Sequence, residues 1–219
     1  MGGQRGRPDV FDAAEKIRAL QYHRRDGIIE QTVDAILQAA REEGAEVEKI
    51  DLKEKSIEFC TNCRKCTGPK APEVRRTDCI FDDQMAAICD ALDRADGIVL
   101  AAPVNFFSVT ALMKRFLERL LVYVYWPWGR NSLPKPRVKK CDKKAVVMTA
   151  SACPAFLGRW LLPNPTGVMK SAARLLGAKA VRKLYFGAVC GEEKQRLTPS
   201  QVKKAQAAGR LLARTARSR

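Results

Sequence analysis

The run Gly97–Ala102, GIVLAA, is apolar on both of its faces. A strand that buries two faces belongs in the middle of a parallel sheet covered by helices above and below. The residues after it agree with that placement: a short loop, PVNFFS (Pro103–Ser108), and then a helical stripe of Val109, Leu112, Met113, Phe116, Leu117, Leu120 and Leu121. Lys114, Arg115, Glu118 and Arg119 fall on the opposite, solvent face. Ser108 is the expected N-cap. In an open α/β sheet, ligands sit against loops at the carboxyl ends of strands, so Pro103–Ser108 is the first place to look for a site.

The rest of the chain repeats that alternation. KIRALQ (Lys16–Gln21) reads as a strand, YHRRDG (Tyr22–Gly27) as a turn, and Ile28, Ile29, Thr32, Val33, Ile36, Leu37 and Ala40 as one face of a helix stopped by Gly44. Ala45–Leu52 alternates as a second strand. Strand, helix and strand in succession make a βαβ unit with a right-handed crossover. After a cysteine-rich loop, a helix is expected from near Asp82, whose acidic start suits the helix dipole. Lys143–Ala150 and Ala180–Val189 are the fourth and fifth strands. Ser151–Pro165 reads as a long loop, Thr166–Leu176 as a helix, and Pro199–Arg217 as the closing helix. The expectation is an α/β, doubly wound, five-stranded parallel sheet with helices on both faces. It forms one domain over 16–219, preceded by a flexible extension over 1–15.

Composition excludes more than it selects. No apolar run approaches the roughly 18 residues that span a bilayer, and no apolar segment comes after the basic start as in a signal peptide. A cytoplasmic protein with no membrane partner is expected. Eight cysteines then argue for thiols, a metal or a cluster rather than disulfides. A single histidine, His23, leaves little for hydrolytic triads or multi-histidine zinc. The net charge of +16, from 40 Lys and Arg against 24 Asp and Glu, raises nucleic acid as a partner. The excess is scattered and lacks aromatic interleaving, so a solvated surface that attracts anionic cofactors is the preferred reading.

Three segments carry chemistry. The turn before the first helix can offer main-chain N–H groups and Arg24 to a phosphate, although an ordinary turn is the preferred reading of these residues taken alone. In Pro103–Ser108, Phe106 or Phe107 can pack on a flat apolar ring while the Asn105 amide bonds its polar edge. The alternative is that both rings join the core. Cys60, Cys63 and Cys66, spaced C-x2-C-x2-C, precede Cys79. Such thiols can wrap a cubane cluster, bind structural zinc, or remain reduced on a loop. Cys89, Cys141, Cys153 and Cys190 lie in or beside apolar segments and read as packing residues.

The segment DGIVLAAPVNFFSVTALMKRFLERL resembles the signature of the flavodoxin-like, NAD(P)H-dependent FMN reductase family, in which a strand ends in Ser-Pro-Val-Tyr and leads to a helix bearing Leu-Lys-x-Phe-x-Asp-Arg. Pro103, Val104, Lys114, Phe116 and Arg119 match; Asn105 stands for Tyr and Glu118 for Asp. FCTNCRKC…CIFDDQM is similar to the family's cysteine loop, which in its iron-sulfur flavoprotein branch binds a four-iron cluster. The family's phosphate loop, Gly-Ser-Pro-Arg-x-x-Gly-Asn-Thr, falls on 21–29, where only Arg24 and Gly27 are kept.

The resemblance implies an FMN site built from Tyr22, Arg24, Gly27 and Ile29 at the phosphate, Pro103, Val104, Asn105, Phe106, Phe107 and Ser108 at the ring, and Ala150, Ser151 and Ala152 on its other side. It implies NAD(P)H as hydride donor, a quinone, flavin or protein as acceptor, and no acid–base residue. A 4Fe-4S cluster on Cys60, Cys63, Cys66 and Cys79, making an electron-transfer protein, is the second reading. A flavodoxin-like protein without flavin that binds an anionic partner is the third. The aromatic connection Tyr123–Trp128 is expected to be a flap over the site or a contact in a homodimer or higher homo-oligomer.

Overall fold

A computed structural model describes residues 15–21, 25–68, 74–129 and 131–217. Five strands, β1 (Lys16–Gln21), β2 (Glu46–Asp51), β3 (Gly97–Ala101), β4 (Lys143–Ala150) and β5 (Ala178–Phe186), form one parallel sheet in the order 2-1-3-4-5. The helices are α1 (Ile28–Glu42), α2 (Met85–Asp93), α3 (Ala111–Arg119), α4 (Ala155–Leu161), α5 (Asn164–Leu175) and α6 (Pro199–Arg217).

Every residue of β3 is buried, for the reason its composition suggests. Ile98, Leu100 and the next residue, Ala102, join the core under α2, α3 and α5. Val99 and Ala101 join the opposite core, under α1 and α6. The α1 terminus is closed by Gly44 at φ 89°, with the Gly44 N–H donating to Arg41 and the Ala45 N–H to Ala40. Where α6 crosses α1, a Cβ on Gly209 would lie 2.1 Å from the Ile36 carbonyl oxygen, so the two backbones touch directly.

Several boundaries differ from the sequence reading. Thr110, rather than Ser108, caps α3, its Oγ1 accepting the Met113 N–H at 3.4 Å. Ser108 is engaged instead in closing a turn with Asn105. The helix after the cysteine loop starts at Met85 because Asp83 turns inward to Arg119. The stretch Ser151–Pro165 contains α4, and β5 ends at Phe186, whose carbonyl accepts the Ser151 N–H.

The aromatic connection docks on the cysteine loop. Tyr123 is fully buried in the core. The Trp126 N–H donates to the Thr67 carbonyl, and the Arg64 guanidinium lies 3.6 Å from the Trp126 ring centre and 4.2 Å from that of Trp128. Of the expected N-terminal extension only Glu15 is described, buried, with its carbonyl accepting the Glu46 N–H; 1–14 lie outside the described residues. No helix among the described residues is long and apolar enough to cross a membrane.

Candidate functional site

The order 2-1-3-4-5 places the switch of winding direction between β1 and β3, where such sheets bind ligands. Four nominated residues, Gly27, Ile29, Pro103 and Ala150, line one cleft there, with Val189, Glu192 and Glu193 from the loop between β5 and α6. The side chain of Ile29 belongs to the core, so its contribution to the cleft is its main chain in the first turn of α1.

The loop after β3 is fixed before it reaches the cleft. The Ala102 N–H donates to the Met148 carbonyl and the Val104 N–H to that of Ala150, while Thr149 Oγ1 donates to the Ala102 carbonyl. Asn105 and Ser108 then exchange main-chain hydrogen bonds of 2.8 and 3.0 Å around a two-residue tip. Both tip residues, Phe106 and Phe107, have positive φ, 44° and 61°. They are 91% and 67% exposed, with their rings edge to face at 5.9 Å. The alternative that they are core residues is thereby removed. Exposed phenylalanines on a turn that favours Asn-Gly are costly twice over, in hydration and in backbone strain. The packing of the fold does not account for that combination.

Opposite this tip, Ala150 and Ser151 are buried and Ala152 exposed. The Ser151 hydroxyl accepts from the Tyr185 hydroxyl at 2.9 Å and lies 3.2 Å from both the carbonyl and the Sγ of Cys153. Ser151 is therefore held by the protein itself. Burial foremost, with the neighbouring Cys153, raises the Tyr185 hydroxyl above its ordinary range, while its bond to Ser151 works the other way.

At the start of α1, Gly27 caps without a side-chain bond. The Asp26 N–H donates to the Glu30 carboxylate at 2.7 Å. Gln31 Nε2 donates to the carbonyls of Asp26 and Gln195, and its Oε1 accepts the Leu197 N–H, tying the β5–α6 loop to this end. Sequence reasoning missed this clasp because two glutamines 164 residues apart carry no pattern. Tyr22 and Arg24 lie outside the described residues.

Cys60, Cys63, Cys66 and Cys79 are half-buried free thiols. Burial foremost, then the charges of Cys79, Cys60 and Cys63, push the Cys66 thiol up to about 11. Among the described residues, no three His, Cys, Asp or Glu side chains converge as ligands for a metal ion. Beside them Arg119, expected on the solvent face of its helix, is instead buried in an ion pair with Asp83 at 2.6 Å. Burial works to raise the Asp83 carboxyl, but Arg119 and the N–H groups of Glu58 and Met85 hold it below its ordinary value.

The strand order, the two-sided core and the cleft at the switch point define a flavodoxin-like α/β fold. The family profile for NADPH-dependent FMN reductases matches residues 22–154, more than half of the chain, and the chain belongs to that family. An iron-sulfur flavoprotein of Archaeoglobus fulgidus is 33% identical over 104 residues, 48% of this chain and 44% of the relative. One of Methanocaldococcus jannaschii is 32% identical over 87 residues, 40% of this chain and 41% of the relative. The chain thus matches under half the length of these curated relatives. An FMN-dependent NADH-azoreductase of Bacillus anthracis, solved with FMN, superposes with a TM-score of 0.64 at 12% identity, covering 91% of this chain and all of that one, 100%. At that identity the likeness speaks for the fold.

Proposed function

We propose that the chain is an FMN-dependent oxidoreductase that takes electrons from NAD(P)H and delivers them to a quinone, a flavin or a protein. The observation that carries this reading is the exposed phenylalanine pair on a strained turn at the switch point. Phe106 and Phe107 would hold one face of the isoalloxazine, with Pro103, Val104, Asn105 and Ser108 along its edge and Ala150, Ser151 and Ala152 on its other side. Gly27 and Ile29 would turn their main-chain N–H groups to the phosphate, with Tyr22 and Arg24 beside it. The residues fit the ring well; at the phosphate end Glu30 already accepts one N–H, and the family's hydroxyl donors are replaced. Bound FMN would supply hydride acceptance and electron transfer; the chain positions it and excludes water, with no side chain assigned as acid or base.

Steady-state oxidation of NADH and NADPH with a soluble benzoquinone, with and without added FMN, tests the reading. Turnover that depends on FMN is expected. No oxidation of either nucleotide with FMN in excess would set the reading aside.

The second reading adds a 4Fe-4S cluster on Cys60, Cys63, Cys66 and Cys79. It is favoured by the C-x2-C-x2-C spacing of Cys60, Cys63 and Cys66 and by the names of the curated relatives. Anaerobic purification with iron and sulfide analysis decides it: about four of each per chain is expected, and iron-free protein after reconstitution eliminates the cluster.

A further inference from the structure

Helix α4 is seated on the sheet by one residue. Gly158 packs so closely on Tyr185 that a Cβ there would lie 2.3 Å from the Tyr185 hydroxyl oxygen. The large side chains around it point outward: Phe156 and Trp160 are 77% and 78% exposed, and Leu157 and Leu161 join them. Four large apolar groups on two helical turns form an exposed patch of the kind that marks an interaction surface.

Next to the patch, a groove of about 510 Å³ runs along β5, an edge strand, to α6. Arg159, Arg182, Lys183 and Lys204 line it, and no aspartate or glutamate does. None of these four cations lies within ion-pair distance of a carboxylate among the described residues. By contrast, Arg18, Lys49, Arg75, Arg76, Arg119 and Arg214 all do.

We propose that α4 and the β5–α6 groove form a docking surface for an anionic phospholipid bilayer, with Phe156, Leu157, Trp160 and Leu161 entering the interface and Arg159, Arg182, Lys183 and Lys204 facing the lipid phosphates. The pairing of aromatic and aliphatic side chains with flanking cations is the composition of interfacial helices, and it needs no spanning segment. The net charge of +16 draws the whole molecule toward the same surface. A symmetric second copy fits less well, since an isologous contact pairs the surface with itself and the groove offers no aspartate or glutamate to its four cations. Single-stranded nucleic acid would use the cations and the two rings, but it leaves Leu157 and Leu161 without a role. Membrane association would replace the expectation, drawn from the sequence, of a protein with no membrane partner.

The test is sedimentation of the full chain with large vesicles of phosphatidylcholine, alone or with about a quarter phosphatidylglycerol, at about 0.1 M salt. Partition onto the anionic vesicles, more than about tenfold above the neutral ones, is expected. Arg182→Gln with Lys183→Gln should weaken it roughly thirtyfold. Phe156→Ser with Trp160→Ser should abolish whatever binding survives high salt. A control, Lys139→Gln with Lys140→Gln, removes the same charge elsewhere and should change partition by less than about twofold.

Equal partition onto both vesicle types, or none, overturns the proposal, as does a groove variant no weaker than the control. A serine variant that turns a dimer into a monomer while still binding vesicles would assign the patch to a second copy. Retention on single-stranded nucleic acid without vesicle binding would assign the groove to nucleic acid. Either result counts against the proposal, and neither bears on the flavin site.

Discussion

Phe106 and Phe107 hold left-handed backbone angles that cost an L-residue about 1–2 kcal/mol each, and neither ring recovers that by burial. Phe107→Gly should therefore stabilise the fold by about 0.5–1 kcal/mol in urea denaturation, since little packing is lost. The same change should weaken FMN binding roughly five- to tenfold in a fluorescence titration, the value of one aromatic contact. Loss of stability on that substitution would show that the turn serves the fold. Asp83 presents the opposite case, a residue whose role is structural. Its partner Arg119 has a side chain only 1% exposed, and Asp83→Asn leaves that guanidinium without its counter-charge, at a cost of about 3–5 kcal/mol. Because the Asp83 carboxyl is held below its ordinary value, the pair's contribution is complete above about pH 4, the unfolded-chain range. It is lost as pH falls through the lower folded value. Stability measured below pH 4 should accordingly fall less steeply in Asp83→Asn than in the parent chain.

Among the elements, α1 and α6 show how closely two helices can be drawn together. With Gly209 against the Ile36 carbonyl, Gly209→Ala should push the helices apart and destabilise the fold by about 1–3 kcal/mol, despite alanine's better helix propensity. An unchanged or raised melting temperature would contradict that contact. The strands and long helices were legible in the sequence because each has a periodic apolar face: β1, β4 and α6 have the boundaries their patterns predict. What was hidden depends on pairing across distance. Nothing local to Ser108 shows that it closes a turn and leaves the cap to Thr110. Nothing local to Phe106 and Phe107 separates a core pair from an exposed one. In the sequence α4 reads as loop, because its proline flanks are turn signals and its apolar residues have no partner that would give them a period. Of the cleft residues, Gly27 and Pro103 are reachable from the strand-and-turn pattern, and Ala150 from the family resemblance.

For the whole molecule, the ring end and the phosphate end of the cleft make different demands. The loops after β3 and β4 are locked to each other by main-chain bonds and present an aromatic wall. The start of α1 is partly satisfied from within by Glu30 and is flanked by Glu192 and Glu193. The family to which the chain belongs is shown by the match over 22–154; what this member binds rests on the balance between those two ends. The most direct test is the visible absorption spectrum of the purified chain during titration with FMN. Saturation at about one FMN per chain, with a shifted and structured flavin band, is the predicted result. A spectrum that remains the sum of free FMN and protein at every concentration would contradict the assignment of this cleft to flavin.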